Sequence, residues 1–371
     1  MAESCPPPVT YDYSGKVAVS DSLPDSHQAL LKCVHLLEGR VALLGIAEAT
    51  LLASLPGEGG NGLAMTEHAG VRERLEAQPG GWQPLFGYLP EAGQAGSYQT
   101  VVIFLPKARA EVQLRLALAR HLAASGGRIL LIGGKKEGIA RAGKQFREQL
   151  PTAMKVESVR HCQVWLAEQV TPFAEYSLDD FRSWHSVVHR DVELQVAGLP
   201  GIFSDGHLDD GTALLLDTLA DTPIRSGRVL DFACGAGVIG SWLQAWRNQN
   251  DQQPDPVDGI DVQYQAIHCA RETYAANGAE GNVLASDGLQ VVQQRYRAIL
   301  SNPPFHTGIH TDTSVTGQFL SQVARHLLPG GELRLVANSF LGYEALIRRH
   351  VGPVEVIASN RRFVVYRCIR K

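Results

Sequence analysis

Near residue 300 an apolar run breaks into a stiff polar corner, Ser301-Asn302-Pro303-Pro304-Phe305-His306. Proline fixes φ and donates no backbone hydrogen bond, so Pro303 and Pro304 leave carbonyl acceptors in a rigid frame. Asn302 adds a side-chain acceptor and Phe305 an aromatic face. Acceptors beside a ring suit a planar group bearing an NH2, such as a nucleobase. Holding both N–H bonds draws the nitrogen lone pair out of conjugation, so the amine becomes a nucleophile without prior deprotonation. Most of the acceleration would come from positioning, worth up to ~7–11 kcal/mol in good cases, and from oriented dipoles. Taken alone, the same corner is a proline-stiffened turn before a helix, with His306 a polar residue at the helix start.

A second group of residues lies upstream. In "VLDFACGAGVIG" a strand runs into Gly235, Gly237 and Gly240 at G-x-G-x-x-G spacing, and Asp261 follows at the end of the next strand. This pattern fits a dinucleotide site as well as one for S-adenosylmethionine. Two acids tilt the choice. Asp231, on the strand before the turn, would repel a pyrophosphate and suit a ligand carrying a sulfonium and an amino group. Asp287, after the third strand, could accept from an adenine amino group, or simply serve as a turn residue or helix cap. Asp261 can accept from both ribose hydroxyls.

These residues need strands that end together. The second half alternates strands (227–233, 257–262, 282–287, 296–302, 331–338) with helices (to about Arg247, 264–277, 316–328), then closes with strands 354–359 and 361–370 as an antiparallel hairpin. That predicts a mostly parallel seven-stranded sheet covered on both faces. The first half carries an echo. "QLRLALARHLAASGGRILLIGG" (113–134) matches "GQFLSQVARHLLPGGELRLVAN" (317–338), each preceded by an apolar strand ending in proline. The chain therefore reads as a duplicated α/β domain, two Rossmann-like copies in tandem. The first copy has "IFLPK" in place of "SNPPF" and no Gly-rich turn after "VALLG", so it should keep the fold without the chemistry. The expected domains are 1–175 and 190–371, joined through an irregular "VTPFAEYSLDDFRSWHS". A small hairpin in "VELQVAGLPGIFS" is expected to lead into the second. Trp242 and Trp246, one helical turn apart, read as packing.

Composition bounds the rest. With 371 residues and 44% apolar content, two cores can form. No apolar run spans a membrane and no secretory signal is apparent, so a cytoplasmic protein is expected. Six cysteines (5, 33, 162, 234, 269, 368) show no metal-ligand spacing, so no metal is expected. A net charge of −4 argues against coating nucleic acid by charge alone. Two local basic stretches stand out: 135–147, with five Lys/Arg against one Glu, and 348–371, with seven against one. Each reads equally well as a solvated face.

"VLDFACGAG", "GIDV" and "SNPPFH" together resemble the class I S-adenosylmethionine-dependent methyltransferases that act on amino nitrogens. "GLPGIFSDGHLDDGTALLLDTL" (198–219) is similar to the segment before the Gly-rich turn in the ribosomal RNA guanine-N2 methyltransferases. In order and extent the chain is closest to the small-subunit (16S) members, strongly over 190–371 and more weakly over 30–170. The resemblance implies a degenerate first methyltransferase-like domain, structural or RNA-binding, and a catalytic second one. It implies methyl transfer from S-adenosylmethionine, leaving S-adenosylhomocysteine, to N2 of a guanosine in 16S RNA, free or within the assembled small subunit. By position, Asp231, Gly235 and Gly237 would line the methionine part of the cofactor, Asp261 the ribose and Asp287 the adenine. Asn302, Pro303, Pro304 and Phe305 would hold the guanine. Asp209 and Gly211 match the upstream motif and would close over the cofactor, although a helix cap explains Asp209 equally well. Ala233 stands where the family usually carries its first glycine, which would make the turn less open. Other planar amines (large-subunit guanine, adenine N6, protein glutamine) are alternative substrates. A nicotinamide-dependent oxidoreductase and a non-catalytic RNA-binding factor are the alternatives outside this chemistry.

Overall fold

A computed structural model describes residues 23–55, 62–78, 80–171, 175–203, 206–303 and 313–370, with side chains from 316 in the last stretch. The chain divides into two compact units, the first running to Thr66 and over Val71–Tyr176, the second comprising Glu67–Gly70 and Ser177 onward.

The first unit is built on β1 (Val41–Leu44), β2 (Gly62–Thr66), β3 (Trp82–Phe86), β4 (Tyr98–Phe104), β5 (Ala123–Gly134), β6 (Met154–Val159) and β7 (Cys162–Val170). These form one seven-stranded sheet in the order β3-β2-β1-β4-β5-β7-β6. Its helices are α1 (Asp25–Lys32), most of α2 (Ala69–Glu76), α3 (Glu111–Leu122) and α4 (Ile139–Gln149). A hairpin, β8 (Ser183–His189) with β9 (Val192–Gly198), opens the second unit. Its main sheet contains β10 (Val229–Phe232), β11 (Val257–Asp261), β12 (Val283–Ala285), β13 (Tyr296–Ser301), β14 (Leu327–Asn338), β15 (Val354–Ser359) and β16 (Phe363–Ile369). The order β12-β11-β10-β13-β14-β16-β15 repeats that of the first sheet. The duplication expected from the "ARHL…GG" echo is therefore present, with the same crossovers and the same antiparallel end.

The helices of the second unit are α5 (Asp210–Asp221), α6 (Val238–Gln249), α7 (Tyr264–Asn277), α8 (Thr313–His326) and α9 (Glu344–His350). Alternation along the strands divides the core in two. Val229, Val257, Ala298 and Leu300 pack with residues of α5, α6 and the β8–β9 hairpin. Leu230, Ile260 and Ile299 pack with Phe319, Leu320 and Val323 of α8 and Ile347 of α9. Each fully buried leucine or isoleucine contributes about 1.5–3 kcal/mol. Burial of both faces makes the strands read as continuous apolar runs rather than alternating ones. Trp242 and Trp246 are buried and stacked at 5.8 Å, as packing residues.

Two boundaries differ from expectation. The helix before Gly330-Gly331 ends at His326, and β14 already starts at Leu327. Tyr296 pairs with Leu327 but Ala298 with Glu332, so the Pro-Gly-Gly segment is accommodated as an irregularity inside the strand pairing. The hairpin expected within 192–204 instead pairs 183–189 with 192–198, using residues that read as irregular linker. Its turn, Arg190-Asp191, has φ of +50° and +62°, the backbone of a tight hairpin without the usual glycine. Arg160-His161, between β6 and β7, does the same at +47° and +62°.

Candidate active site

Four neighbouring parallel strands of the second sheet, β12, β11, β10 and β13, end side by side. Phe232 pairs with Ile260 and with Ser301, and Asp261 pairs with Ala285. Asp231, Asp261, Asp287 and Asn302 are thereby brought to one edge, the carboxyl edge where open α/β sheets bind ligands. The ends of β10 and β13 are tied directly, the Ser301 hydroxyl donating to the Phe232 carbonyl at 2.8 Å.

The turn after β10 is held by acids. Asp261 Oδ2 accepts from the Gly235 N–H and Oδ1 from the Gln263 N–H, both at 3.0 Å. Each oxygen keeps lone-pair capacity for a further donor. Gly235 has φ +52°, and a Cβ there would project into open space, so the backbone lies bare toward the cleft. Gly240 serves a different end: a Cβ would lie 1.8 Å from the Tyr274 hydroxyl, so its absence lets α6 approach α7. Ala233 adopts φ +60°. An alanine in that left-handed region costs roughly 1–2 kcal/mol relative to glycine. Ala233 thus holds a conformation that glycine adopts more readily.

Asp231 is fully buried. Neither carboxylate oxygen has a hydrogen-bond partner of normal geometry among the described residues, the Gly240 N–H lending only weak support. Burial, then the nearby Asp261 charge, pushes its pKa well above the usual carboxylate range. Burial also raises Asp261, partly countered by the N–H groups of Gln263 and Gly235. A buried carboxylate without partners is rare in native structures and calls for a donor. The ammonium of an amino-acid moiety has that chemistry. Together with the bare backbone at Gly235, it makes the residues present a fit for S-adenosylmethionine.

A cavity of about 70 Å³ lies beside this turn. Asp209, Ala233, Gly235 and Asn302, all singled out from the sequence, line it together with Thr212, Cys234, Phe203, His185 and His207. Asp231, Asp261, Gly237, Gly211 and Asp287 are not part of its wall. Asp231 is buried at β10, Asp261 ties the turn through the Gly235 N–H, Gly237 opens α6 at φ +80°, and Asp287 is half-buried beyond β12. Pro303 is buried, whereas Pro304, Phe305 and His306 lie outside the described residues.

Asn302 is held in one orientation. Its Nδ2 donates to Asp209 Oδ2 and to Thr212 Oγ1, both at 2.8 Å. A carboxylate only accepts, so it is the amide nitrogen that must face Asp209. The Asn302 carbonyl is left as the acceptor on the other side. Asp209 also caps α5, taking the Thr212 N–H at 3.0 Å. One carboxylate thus serves both as the helix cap and as an anchor for the Asn302 amide. Thr212 was missed from the sequence, although a capping role for Asp209 would place Thr212 where its N–H meets the Asp209 carboxylate.

Among the described residues, the first unit has nothing comparable at the same edge. After β1, Gly45 (φ +85°) faces the Arg115 guanidinium, which a Cβ would approach to 2.0 Å. Arg115 donates to the Phe104 carbonyl at the end of β4 and to Glu111 Oε1 at 3.0 Å, and Glu111 also accepts from the Tyr88 hydroxyl at 2.7 Å. In the sequence echo, Arg115 corresponds to Phe319, which in the second unit stacks on Phe232 at 3.9 Å. In the first copy a buried ion pair therefore sits at the sheet edge, beside the turn after β1 and the end of β4.

Residues 27–185 match the family model "Methyltransferase small domain N-terminal" and residues 193–367 match "Methyltransferase small domain". The ribosomal RNA small subunit methyltransferase C of Pseudomonas aeruginosa is 40% identical over 340 residues, covering 91% of this chain and 97% of its own. That of Stutzerimonas stutzeri is 39% identical over 345 residues, covering 92% and 98%. Among solved structures, a T. thermophilus 16S rRNA N2 methyltransferase, in complex with AdoMet and guanosine, superimposes with a TM-score of 0.81. It shares 26% identity, with 95% of this chain and 93% of that one covered.

Proposed function

Since the chain belongs to the ribosomal RNA small subunit methyltransferase C family, we propose that its second unit methylates N2 of a guanosine in 16S ribosomal RNA, using S-adenosylmethionine. The observation that carries this reading is the locked amide of Asn302, whose carbonyl stays available as an acceptor in the same cavity wall as Gly235.

Residue roles follow from the chemistry. Asp231 and the Gly235–Gly237 backbone would hold the methionine part of the cofactor, Asp261 its ribose and Asp287 its adenine. When bound, S-adenosylmethionine supplies a methyl group on a positively charged sulfur. Asn302 Oδ1 and a carbonyl of the Pro303-Pro304 corner accept the two N–H bonds of the guanine amine. They turn its lone pair out of the ring plane, and Phe305 stacks on the base. The N-methylated ammonium is acidic enough to lose its proton to water, so the site needs no protein base. A base paired in RNA must be splayed out first, at a cost of a few kcal/mol.

The first unit, residues 1–175, acts as a structural or RNA-binding domain, and 190–371 is the catalytic one. The buried ion pair at Arg115 supports this assignment. Among the described residues no helix is long and apolar enough to cross a membrane. The substrate is 16S rRNA, free or in the assembled small subunit, and the site of action is the cytoplasm.

The test is a nucleoside digest of unmethylated 16S rRNA after incubation with the protein and S-adenosylmethionine. N2-methylguanosine is expected. Finding N6-methyladenosine instead, or methylglutamine in a ribosomal protein, would replace guanine as the substrate. Asn302→Ala should lower turnover by ~10²–10³ while leaving cofactor affinity nearly unchanged.

A further inference from the structure

An aromatic ring and two cations near the carboxyl edge of the second sheet are not accounted for by the roles assigned above. Among the described residues the two most exposed large apolar side chains are Phe340 (70%) and Phe203 (69%). Phe203 lines the cavity. Phe340 lies in the turn after β14, and β14 is paired with β13 through Leu335 and Ser301, so Phe340 extends beyond the edge that bears Asn302. A single exposed ring is common on protein surfaces; this one is set apart by the cations that stand beside it.

The antiparallel register brings cations to the same place. Asn338 pairs with Phe363, and the Ser339 N–H donates to the Arg362 carbonyl at 2.9 Å. The tip of the β15–β16 hairpin therefore stands beside Phe340 and carries Arg361 and Arg362, both exposed. Arg362 reaches Asp210 at 2.8 Å, and Asp210 adjoins Asp209, which holds Asn302. With side chains 70% and 69% exposed, that ion pair is worth little and can be exchanged for a phosphate. Other cations of the basic C-terminal stretch are placed elsewhere. Arg367 is tied to Glu332 and Glu355. α9, bearing Arg348 and Arg349, ends just before Gly352, which lies beside Cys368 and Ile369 at the opposite edge of the sheet.

We propose that Phe340, Arg361 and Arg362 form a contact surface for single-stranded RNA flanking the target guanosine. The ring stacks a neighbouring base, and the two guanidiniums pair with phosphates. Stacking of this kind tolerates any base and needs no hydrogen-bond readout. Arginine suits phosphate because its fork matches two oxygens. A local cluster of this sort lets a chain of net charge −4 grip a polyanion. The proposal rests on the methyltransferase reading, which the experiment tests separately.

The experiment measures binding of the full-length protein to an unmethylated 16S rRNA fragment, with S-adenosylhomocysteine present and turnover absent, across a salt series. Phe340→Ala should weaken binding roughly 5- to 100-fold with the salt slope unchanged. The double variant Arg361→Gln/Arg362→Gln should weaken binding and flatten the log–log salt slope by about 1.4. Calorimetric affinity for S-adenosylmethionine should stay at the wild-type value in both. Wild-type RNA affinity and salt slope in the variants overturn the surface. So does a parallel loss of cofactor affinity, because the residues would then act through the fold. Formation of N2-methylguanosine by the wild type reports on the underlying reading. Its absence, with RNA binding still sensitive to the variants, would remove the catalytic assignment and leave the surface standing.

Discussion

At the scale of single residues, the arrangement turns on which atom of one amide faces the cleft. A carboxylate and a hydroxyl on α5 take the Asn302 nitrogen, so the carbonyl alone is offered outward. Asp209→Asn allows the amide to rotate and present its nitrogen. Turnover on RNA should fall ~10-fold or more with cofactor affinity retained, and Thr212→Val should fall less because Asp209 still orients the group. Steady-state rates with saturating cofactor check both. Asp231 presents the opposite case, a carboxyl group placed where the fold disfavours its charge. Its folded pKa lies above the unfolded value, so its neutral form is the one the interior accepts. Its contribution to stability is favourable at low pH and is lost as pH rises through the ordinary carboxylate range and on through the raised folded value. Asp231→Asn should therefore make the ligand-free protein more resistant to heat at pH 7, while S-adenosylmethionine binding weakens by 10-fold or more. Melting curves and calorimetry on the same sample would show the two changes with opposite sign.

At the scale of elements, the two copies differ by what one helix places at the sheet edge. In the second unit α8 lays Phe319 flat on Phe232. In the first, α3 puts Arg115 at the corresponding position, and its guanidinium reaches the ends of β1 and β4. Charge there is tolerated because Glu111 and Tyr88 complete the network. Arg115→Met would leave the Glu111 carboxylate buried beside a tyrosine. Breaking such a pair costs about 3–5 kcal/mol, which urea unfolding of the first unit should register. Titration with S-adenosylmethionine should still give one site per chain, since the first copy lacks the Asp231 and Asp261 counterparts as well. Two equivalents would contradict the degenerate assignment.

At the scale of the whole molecule, each of the two compact units carries its own marker of a response to conditions. His27 marks the first. It is buried against Phe104 at 4.2 Å, its Nε2 accepts the Ala47 N–H at 3.1 Å, and burial lowers its pKa to about 4. The unfolded chain takes up this proton first as pH falls. Stability is then lost between the ordinary histidine value near 6.5 and about 4, a loss on the order of 3 kcal/mol. S-adenosylmethionine should raise the second unit's transition, by about 2.7 kcal/mol at a hundredfold excess over Kd. Scanning calorimetry at pH 7 and pH 5, with and without ligand, separates these effects. His27→Gln should remove the acid sensitivity of the first transition.

Some of this was legible before any coordinates. Alternating apolar runs, the Gly235–Gly240 turn and the Asn302–Pro303 corner are local patterns, and local sterics carry them. The echo between 113–134 and 317–338 made the duplication readable, because two copies of one pattern need the same crossovers. Three features were decided only when the chain closed on itself. The Arg190-Asp191 hairpin lacked the glycine that announces such turns, and sheet pairing forced its backbone. The orientation of Asn302 depends on Asp209 and Thr212, residues about 90 positions away. The ion pair at Arg115 depends on a side chain from α3 meeting the turn after β1. Sequence states which groups a chain owns and which local shapes they favour. Which atom of an amide, or which charge, ends up facing a cleft is set by partners that only tertiary packing brings within hydrogen-bond reach.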